Sequence, residues 1–358
     1  MLVAADFLES RTLQGLAGIL GPTFEQRSCL DFGQIRPPPL NLETDIAASD
    51  IVVITVSNAC GREVLAAKAA VEQRKLLVMV ALGYQSWANE EFAAVRPFVR
   101  LLFVVDEEER QRAALLYPDA TILVVGHPEW ESFAFPTRTR DEVREILGIG
   151  PEQKFVLVSG EKEMGVNFAL GACVIEALAS LPRPEAFRLV FTIHPGHGEY
   201  PGRTANVGLI ELYKELEAYD PKVHTSISLK TGPFGLGTND MVPGADIVIG
   251  TASTIQIQAA FMRIPAIALL TQRAFRGREM PVKHAGWWPP VDKGAVAGIY
   301  GINSEQLANH IGSLLTPNGF AAMRAAQERA FVPAEVGSAY KKMKGGLMEL
   351  LTFNPDRP

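Results

Sequence analysis

The sequence predicts an α/β protein made of two Rossmann-like, doubly wound parallel-sheet domains that face each other across a cleft. Three observations predict this fold class. Short, continuously apolar segments such as IVVITV (51–56) and LLVMVAL (76–82) alternate with longer amphipathic segments, and this alternation occurs in two series. Strands that are apolar on both faces and separated by helices are typical of parallel sheets covered on both sides. The 358 residues also suffice for two domains of ordinary size.

The first series lies in residues 1–130, which we assign to an N-terminal domain on the acceptor side of the cleft. A strand that ends at Asp6 opens the series. The later elements are a strand at 51–56, a helix at 59–75, strands at 76–82 and 99–105, a helix at 106–117 and a strand at 121–126. The segment 127–140 is rich in Pro, aromatic and basic residues, which predicts a linker.

The second series lies in residues 131–335, which we assign to a C-terminal domain. Its predicted helices are 141–150, 165–181, 206–219 and 251–264, and its predicted strands are 154–160, 188–195, 222–228, 245–250 and 265–270. A long irregular loop at 271–294 follows, and such loops are uncommon unless they are functional. Helices are predicted at 304–315, 321–331 and 338–351.

Composition excludes several classes of protein. Lys and Arg number 34 against 40 Asp and Glu, a net charge of −6, so we expect no binding to nucleic acid. The three cysteines show no CxxC spacing, which argues against a disulfide framework and a zinc site. The N-terminus lacks the pattern of a signal peptide, and no apolar run approaches the ~20 residues of a membrane span. We therefore expect a cytoplasmic protein.

The strongest local signal lies at the end of the strand 245–250. The strand ends at Gly250, and the hydroxyl residues Thr251, Ser253 and Thr254 then open a helix. A helix start presents unpaired N–H groups and a positive dipole, which suit a phosphate, and Gly250 would let the ligand approach the backbone. The alternative is an ordinary Ser/Thr cap, a common way to begin a helix.

A histidine gives the second signal. His194 follows the strand 188–195 closely and could donate to a phosphate oxygen or act as an acid or base near neutral pH. The alternatives are a loop histidine bonded to a carbonyl group, and a metal pair with the nearby His197. We predict no metal site.

Two further segments carry candidate binding residues. The turn SGEKEMG (159–165) holds Gly160, Glu161 and Gly165 but matches neither GxxxxGK[ST] nor GxGxxG, which excludes a P-loop and the usual dinucleotide fingerprint. The loop 271–294 holds Arg273 and Arg276, whose planar guanidinium groups suit phosphate or carboxylate. A solvated turn and a solvated loop are the respective alternatives.

In the first half, carboxylates near the end of the first strand are candidates for a general base. These are Asp6 and Glu9, although an Asp at a strand end more often caps the helix that follows. Tyr84, Gln85 and Trp87 come after the strand 76–82, and we expect them to face the cleft as well.

Taken together, these segments resemble the GT-B superfamily of glycosyltransferases and the related nucleotide-sugar 2-epimerases. VVGHPEWESF (124–133) resembles the interdomain segment of that superfamily, and DEVREILGIGPEQKFVLVSG (141–160) resembles the start of its nucleotide-binding domain. IHPG (193–196) is similar to an HP motif found in several members. ADIVIGTASTIQIQAAFMRIPAIAL (245–269) resembles the segment that holds the donor's phosphates and ribose.

The resemblance implies roles for several residues. His194, Ser253 and Thr254 would contact the donor's phosphates, and Gly160 with the loop 161–165 would line the nucleotide pocket. Gln258 stands where the superfamily usually has a ribose-binding carboxylate, and the first domain lacks the usual Gly-rich loop. The last segment, 336–358, would form a helix that packs back on the N-terminal domain.

The first hypothesis for function is a glycosyltransferase of polysaccharide biosynthesis that uses a nucleotide-sugar as substrate and needs no cofactor. Asp6 or Glu9 would deprotonate an acceptor hydroxyl on a glycan, a lipid carrier or a protein. The alternatives are a nucleotide-sugar 2-epimerase, hydrolysing or non-hydrolysing, and a non-catalytic protein that binds a sugar nucleotide. Peripheral membrane association and a homodimer stay open at this point.

Overall fold

The computed structural model describes residues 1–4, 7–21, 28–30, 42–56, 61–160, 164–193, 214–228, 235–270 and 288–352. The chain divides into two compact units. The first unit consists of described residues within Met1–Ser132 and Ala334–Pro358, and the second of described residues within Phe133–Glu279 and His284–Pro333. Each unit contains a parallel sheet wound with helices, which confirms the predicted fold class.

The sheet of the first unit has the strand order β2-β1-β3-β4-β5-β6, and every pair within it is parallel. Its strands are β1 (Leu2–Ala4), β2 (Ser28–Leu30), β3 (Ile51–Thr55), β4 (Leu76–Val80), β5 (Val99–Val104) and β6 (Thr121–Val124). Its helices are α1 (Phe7–Leu20), α2 (Leu42–Ala47), α3 (Gly61–Glu72) and α4 (Glu107–Ala113), with 3-10 turns at Ser86–Ala88, Glu90–Phe92, Arg96–Phe98 and Trp130–Ser132.

Both faces of this sheet are covered, as its uninterrupted apolar strands predicted. Along β3, Val52 and Ile54 join the apolar cluster beneath α3, whereas Ile51 and Val53 join the cluster beneath α1. Successive side chains of a strand point to opposite faces, so a strand with a helix layer on each side must be apolar at every position. All five residues of β3 are buried.

The sheet of the second unit has the order β12-β11-β10-β7-β8-β9 and is likewise parallel. Its strands are β7 (Lys154–Ser159), β8 (Phe187–Thr192), β9 (His224–Ser228), β10 (Ile247–Gly250), β11 (Ala266–Leu270) and β12 (Ala297–Tyr300). Its helices are α5 (Arg140–Ile146), α6 (Met164–Ala179), α7 (Thr238–Met241), α8 (Thr254–Phe261), α9 (Pro289–Asp292), α10 (Ser304–Leu314) and α11 (Pro317–Ala330), and residues 214–217 are also helical. Further 3-10 turns lie at Pro184–Ala186 and Val242–Gly244.

The carboxylate of Asp246, whose side chain is 12% exposed, fixes the beginnings of β7 and β10 to each other. Asp246 accepts hydrogen bonds from the Phe155 N–H at 2.7 Å, from Arg144 Nη1 at 3.1 Å and from Arg140 Nη2 at 2.7 Å. Both arginines belong to α5, so the helix and the two strands share one anchor. Charge-assisted hydrogen bonds of this kind are stronger than neutral ones, and they hold the two strands in register.

A second carboxylate holds the last helix, α12 (Ser338–Thr352), in the first unit. Glu131, which is 4% exposed, accepts hydrogen bonds from the Gly337 N–H at 2.6 Å, the Ser338 hydroxyl at 2.6 Å and the Ala339 N–H at 2.7 Å. The start of α12 thus finds a negative partner for its unpaired N–H groups. The helix packs along α1, and Lys344 Nζ donates to the Ile19 carbonyl at 3.0 Å.

Six elements were not predicted from the sequence: α1, α2, α7, α9, β2 and β12, of which α9 lies in the predicted loop 271–294. Helix α1 contains Ser10, Thr12, Gly15 and Gly18, which are poor helix formers, and it is stabilised by packing against β1 and α12. The strands β2 (SCL) and β12 (AGIY) lack the continuous apolar run that marks the predicted strands.

Candidate functional site

In the sheet of the second unit, the order in which the chain adds strands reverses between β7 and β10. From β7 the chain continues to β8 and β9 on one side, and it then returns to place β10, β11 and β12 on the other side. Gly250, the last residue of β10, pairs with Ser159, the last residue of β7. The carboxyl ends of β7 and β10 therefore lie side by side, and the connections that follow them lead to opposite sides of the sheet. In open parallel sheets, ligands bind at such a point.

At Gly160, directly after β7, the protein's own atoms leave no room for a side chain, and at Gly250 they leave little. The Gly160 N–H donates to the Thr192 carbonyl at 2.9 Å, and a Cβ at Gly160 would lie 2.8 Å from that same oxygen. A Cβ at Gly250 would lie 3.2 Å from Gln256 Nε2 and 3.3 Å from the Ser159 carbonyl. The predicted role of Gly250, to admit a ligand, is therefore accompanied by a requirement of packing.

Helix α8 begins directly after the end of β10 with a capping box. Ser253 is the N-cap: its hydroxyl oxygen accepts from the Ile255 N–H at 3.4 Å, and its own N–H donates to Gln256 Oε1 at 2.9 Å. The alternative interpretation of Ser253 as an ordinary cap is thus correct for its oxygen. A hydroxyl that accepts a hydrogen bond still has a proton to donate. Thr254, the first residue of the helix, is exposed.

Two other candidates of this segment are buried. Thr251 is 1% exposed, and its carbonyl accepts from Gln256 Nε2 at 2.5 Å. Gln258 is 5% exposed, and its Nε2 donates to the Asn239 carbonyl of α7 at 2.9 Å. The amide of Gln258 therefore connects α8 to α7. The side chains at the start of α8 that reach the surface are those of Ser253 and Thr254.

In the first unit, a buried acid lies beyond the carboxyl ends of β4 and β5. Glu109, in α4, is 1% exposed, and its Oε2 accepts from the Gln85 N–H at 2.5 Å and from Trp87 Nε1 at 2.6 Å. Burial raises the pKa of Glu109 to about 7, and these two hydrogen bonds oppose the rise only in part. Burial also raises the pKa of Tyr84, and the neighbouring Asp106 raises it further.

An aromatic stack lies after β6 in the same unit. The rings of His127 and Trp130 are parallel, with centroids 4.4 Å apart, and Tyr84 packs on Trp130 at 5.3 Å. His127 Nδ1 accepts from the Glu129 N–H at 3.2 Å. Burial lowers the pKa of His127 to about 3, so the ring is neutral at physiological pH.

Comparison with solved structures places this architecture. The match to the S. aureus MnaA–UDP complex covers 100% of this chain and 98% of the S. aureus chain, with a TM-score of 0.67 and 13% sequence identity. A UDP-GlcNAc 2-epimerase from Neisseria meningitidis, bound to UDP-GlcNAc, covers 98% of this chain and 100% of its own (TM-score 0.59, 15% identity). The match to a glycosyltransferase from Rickettsia africae covers 99% of this chain and 98% of the Rickettsia chain (TM-score 0.61, 14% identity).

The chain has the GT-B fold. At the level of sequence alone, no protein-family model and no curated protein matches it. Among the described residues, no helix combines the length and the apolar character that crossing a lipid bilayer requires.

The described part of this GT-B chain brings together only some of the predicted site residues. Gly160, Gly250, Thr251, Ser253, Thr254 and Gln258 lie at the carboxyl ends of β7 and β10 or in α8, and Gly165 lies in the first turn of α6. Asp6, Glu161, His194, Arg273 and Arg276 lie outside the described residues, and Glu9 is described only as backbone within α1.

Three features of the sites were missed or misplaced by sequence reasoning. Trp87 does not face a cleft, since it is fully buried with its indole N–H on Glu109. Glu109 was not singled out from the sequence, where it lies among the acidic residues at the start of the predicted helix 106–117. Gln256, fully buried in the capping box with Ser253, was identifiable, because the spacing S-x-x-Q before an apolar run is a known sign of a helix N-terminus.

Proposed function

We propose that this chain is a nucleotide-sugar enzyme of the GT-B fold and that it transfers a sugar to an acceptor hydroxyl. The observation that carries the proposal is the geometry of the second sheet's reversal point. There Ser159 and Gly250 end adjacent strands, Gly160 follows Ser159 directly, and the N-terminus of α8 with the exposed Thr254 follows Gly250. The helix dipole in that position, with the hydroxyl protons of Ser253 and Thr254 as donors, favours an anionic phosphate.

The comparisons support the class of substrate. The S. aureus protein was solved with UDP and the neisserial enzyme with UDP-GlcNAc, and each matches this chain over almost its full length. In our proposal the donor's diphosphate meets the first turn of α8, with the hydroxyls of Ser253 and Thr254 as donors. The positive end of the helix dipole and these hydroxyl donors would stabilise the leaving phosphate.

Substitution of Thr254 by glutamate tests the phosphate site. An acidic side chain in the first turn stabilises a helix but repels a bound phosphate, so stability and binding should respond in opposite directions. We expect Thr254→Glu to fold with unchanged or slightly higher stability and to bind UDP at least tenfold more weakly. Isothermal titration with UDP, together with urea unfolding, measures both effects.

The matched control is Ser304→Glu, a change at the first residue of α10, which begins beyond the edge strand β12. This variant should bind UDP as the wild type does. Equal UDP affinity in Thr254→Glu and the wild type would place the phosphate elsewhere. A thermal-shift panel of UDP, CMP, CDP, GDP and ADP identifies the base, since bound ligand adds about 2.7 kcal/mol at a hundredfold excess over Kd.

A general base completes the transfer reaction in this proposal. We assign this role to Asp6 or Glu9 of the first unit, which would take the proton of the acceptor hydroxyl, and we assign His194 to the donor's phosphates. Asp6→Asn and Glu9→Gln should each be compared with the wild type for sugar transfer. Full activity in both variants would refute the base assignment and leave the phosphate site to be judged by Thr254→Glu.

A 2-epimerase is the second candidate, because the two UDP-containing structures reported above match this chain from end to end. The reactions differ in what they need: an epimerase converts the nucleotide-sugar without any acceptor. Incubation with UDP-GlcNAc alone, followed by separation of the products, distinguishes them. A new sugar formed without an acceptor supports epimerisation, and turnover only with an acceptor supports transfer. Binding without either product indicates a non-catalytic protein.

A further inference from the structure

One buried amide holds the turn that joins β10 to α8. We define the α8 turn as residues 251–253, which follow Gly250 and precede the first residue of α8. Gln256 is fully buried, and its Oε1 accepts from the Ser253 N–H at 2.9 Å. Its Nε2 donates to the Thr251 carbonyl at 2.5 Å. Both ends of the α8 turn are therefore bonded to the same side chain.

The same amide also attaches the α8 turn to the sheet. Gln256 Nε2 donates a second hydrogen bond, at 3.2 Å, to the carbonyl of Ile267 in β11, the strand beside β10. A carboxamide has one acceptor oxygen and two N–H donors, and here the oxygen and both donors are engaged. Such an amide favours one arrangement of its surroundings, because any other would leave a buried polar group unpaired.

The bonds within this segment decide which groups at the start of α8 are left for a ligand. The N–H groups of Ser253, Ile255 and Gln256 already have acceptors there. The N–H of Thr254 has no acceptor among the described residues. The Ser253 hydroxyl accepts from Ile255 and keeps its proton to donate. Two donors, one backbone N–H and one hydroxyl, thus stay available beside the fixed turn.

A buried acceptor on α8 also points to a ligand. Gln258 follows Thr254 by four residues, a spacing that places the two on one side of a helix. It is 5% exposed, and its Oε1 has no hydrogen-bond partner among the described residues, although its Nε2 is bonded to Asn239. Leaving a buried acceptor unpaired is costly, so a ligand that carries a donor group would satisfy it.

We propose that Gln256 is a positioning residue for the donor's phosphate: it fixes the α8 turn so that the Thr254 N–H and the Ser253 hydroxyl are in place before the ligand arrives. This inference rests on the proposed function, which puts the phosphate at the start of α8. Gln256 itself does not touch the ligand, since its oxygen and both of its donors are engaged within the protein. A site that is ordered beforehand binds more tightly, because less conformational freedom is lost on binding.

Hydrogen exchange in the wild type, followed by nitrogen-15 NMR, measures the order of the α8 turn without any substitution. The Ser253 amide should exchange slowly with and without UDP, because its acceptor is the buried Oε1 of Gln256. The Thr254 amide should exchange rapidly in the free protein and about tenfold or more slowly with saturating UDP. Rapid exchange of the Ser253 amide in the free protein would overturn the proposal.

Substitution of Gln256 by glutamate makes the positioning depend on pH. A neutral carboxyl group keeps one acceptor and one donor, whereas a carboxylate would face the Thr251 and Ile267 carbonyls with no donor. In isothermal titration, the affinity of Gln256→Glu for UDP, relative to the wild type at the same pH, should be within about threefold at pH 5.5 and about tenfold or more weaker at pH 8.5. Equal affinity of Gln256→Glu and the wild type at pH 8.5 would overturn the proposal.

Gln327 of α11 provides the matched control. It is also fully buried, and its Nε2 donates to the carbonyls of Ile264 and Ala295 at 2.9 and 3.0 Å, beyond the C-terminal end of α8. Gln327→Glu should lose stability as the pH rises, as Gln256→Glu does, yet bind UDP with wild-type affinity at both pH values. Equal losses of affinity in the two variants would show that Gln256 acts only on the stability of the fold.

The proposed function can fail without the hold of Gln256 on the α8 turn. A flat nucleotide panel, or a Thr254 amide that bound UDP leaves unprotected, would refute the phosphate site at the start of α8. The exchange of the Ser253 amide would still show whether Gln256 holds the turn. Should Gln256→Glu fail to fold, exchange in the wild type decides alone.

Discussion

At the scale of single residues, the amide of Gln258 matches the hydrogen-bonding group that it contacts. The superfamily that this sequence resembles usually has a carboxylate at this position, but here the buried Nε2 faces the Asn239 carbonyl at 2.9 Å. A carboxylate cannot donate to a carbonyl, so the amide is the matching group. The structure thus gives Gln258 a role between α8 and α7 that the resemblance did not imply.

Replacement of Gln258 by glutamate tests this role. The change puts a buried charge against a carbonyl oxygen and removes a donor, so we expect the free energy of unfolding to fall by about 2–4 kcal/mol. Urea unfolding measures it. Gln306→Glu, an exposed amide in the first turn of α10, should change stability by less than about 0.5 kcal/mol. Equal stability of both variants would contradict the assigned role.

Sequence reasoning at this scale succeeded where a spacing carries the information and failed where only burial does. The pattern of hydroxyl residues after Gly250 correctly predicted a helix start. Glu107, Glu108 and Glu109, in contrast, are three consecutive residues of one type, and nothing in their order indicates which of them turns inward. The structure shows that only Glu109 is buried against Trp87. That choice depends on Gln85 and Trp87, which lie after β4 and far from α4 in the sequence.

At the scale of elements, the attachment of α12 depends on Glu131. Its carboxylate accepts three hydrogen bonds of 2.6–2.7 Å from the first turn of the helix. We expect Glu131→Ala to lower the free energy of unfolding by about 2–4 kcal/mol, because a helix cap and two further charge-assisted bonds are lost together. Hydrogen exchange in residues 338–342 should accelerate.

Glu335 provides the control for this prediction. It lies next to the start of α12, but its side chain is 77% exposed in an ion pair with Lys341. Surface ion pairs contribute about 0–1 kcal/mol, so Glu335→Ala should differ little from the wild type. The assignment of Glu131 fails if its alanine variant unfolds at the same urea concentration as Glu335→Ala.

Elements with a continuous apolar or amphipathic pattern could be predicted from the sequence, and elements without such a pattern could not. The strands β3, β4, β5, β7, β8, β10 and β11 coincide with predicted strands, because continuous apolar runs between helices leave little choice in a parallel sheet. The strands β2 and β12 are defined by their neighbours β1 and β11 rather than by a pattern of their own. Helix α1 contains two glycines, which have a low propensity for the helix, so the local sequence did not predict it.

At the scale of the whole molecule, the stability of the first unit should depend on pH in two opposite ways. The pKa of Glu109 is raised to about 7 from 4.5, so the stability that this group contributes at low pH is lost as the pH rises to 7. The pKa of His127 is lowered to about 3 from 6.5, so its contribution is present above pH 6.5 and is lost as the pH falls.

Comparison of Glu109→Gln with the wild type isolates the first of these effects. All other groups are common to both proteins, so the variant should become more stable relative to the wild type as the pH rises from about 4.5 to 7. The difference should reach about 3 kcal/mol, at 1.36 kcal/mol for each pKa unit. Urea unfolding at four pH values measures it, and a constant difference would show that Glu109 ionises normally.

The two series of strands and helices correctly predicted two sheets, because each apolar run can be recognised in the local sequence. The point at which the second sheet reverses is not local, since it depends on β10 pairing with β7 across 87 intervening residues, from 160 to 246. Sequence reasoning placed candidates on both strand ends but found their adjacency only through the resemblance.

The contact between Glu131 and the start of α12 also bears on how the protein is made. Residues 131 and 337 touch, yet about two hundred amino acids separate them, and these form the second unit. The ribosome therefore synthesises the residues of the second unit before it synthesises α12 of the first unit. The part of the first unit that is synthesised first therefore keeps the apolar side of α1 uncovered until residues 338–352 have been translated.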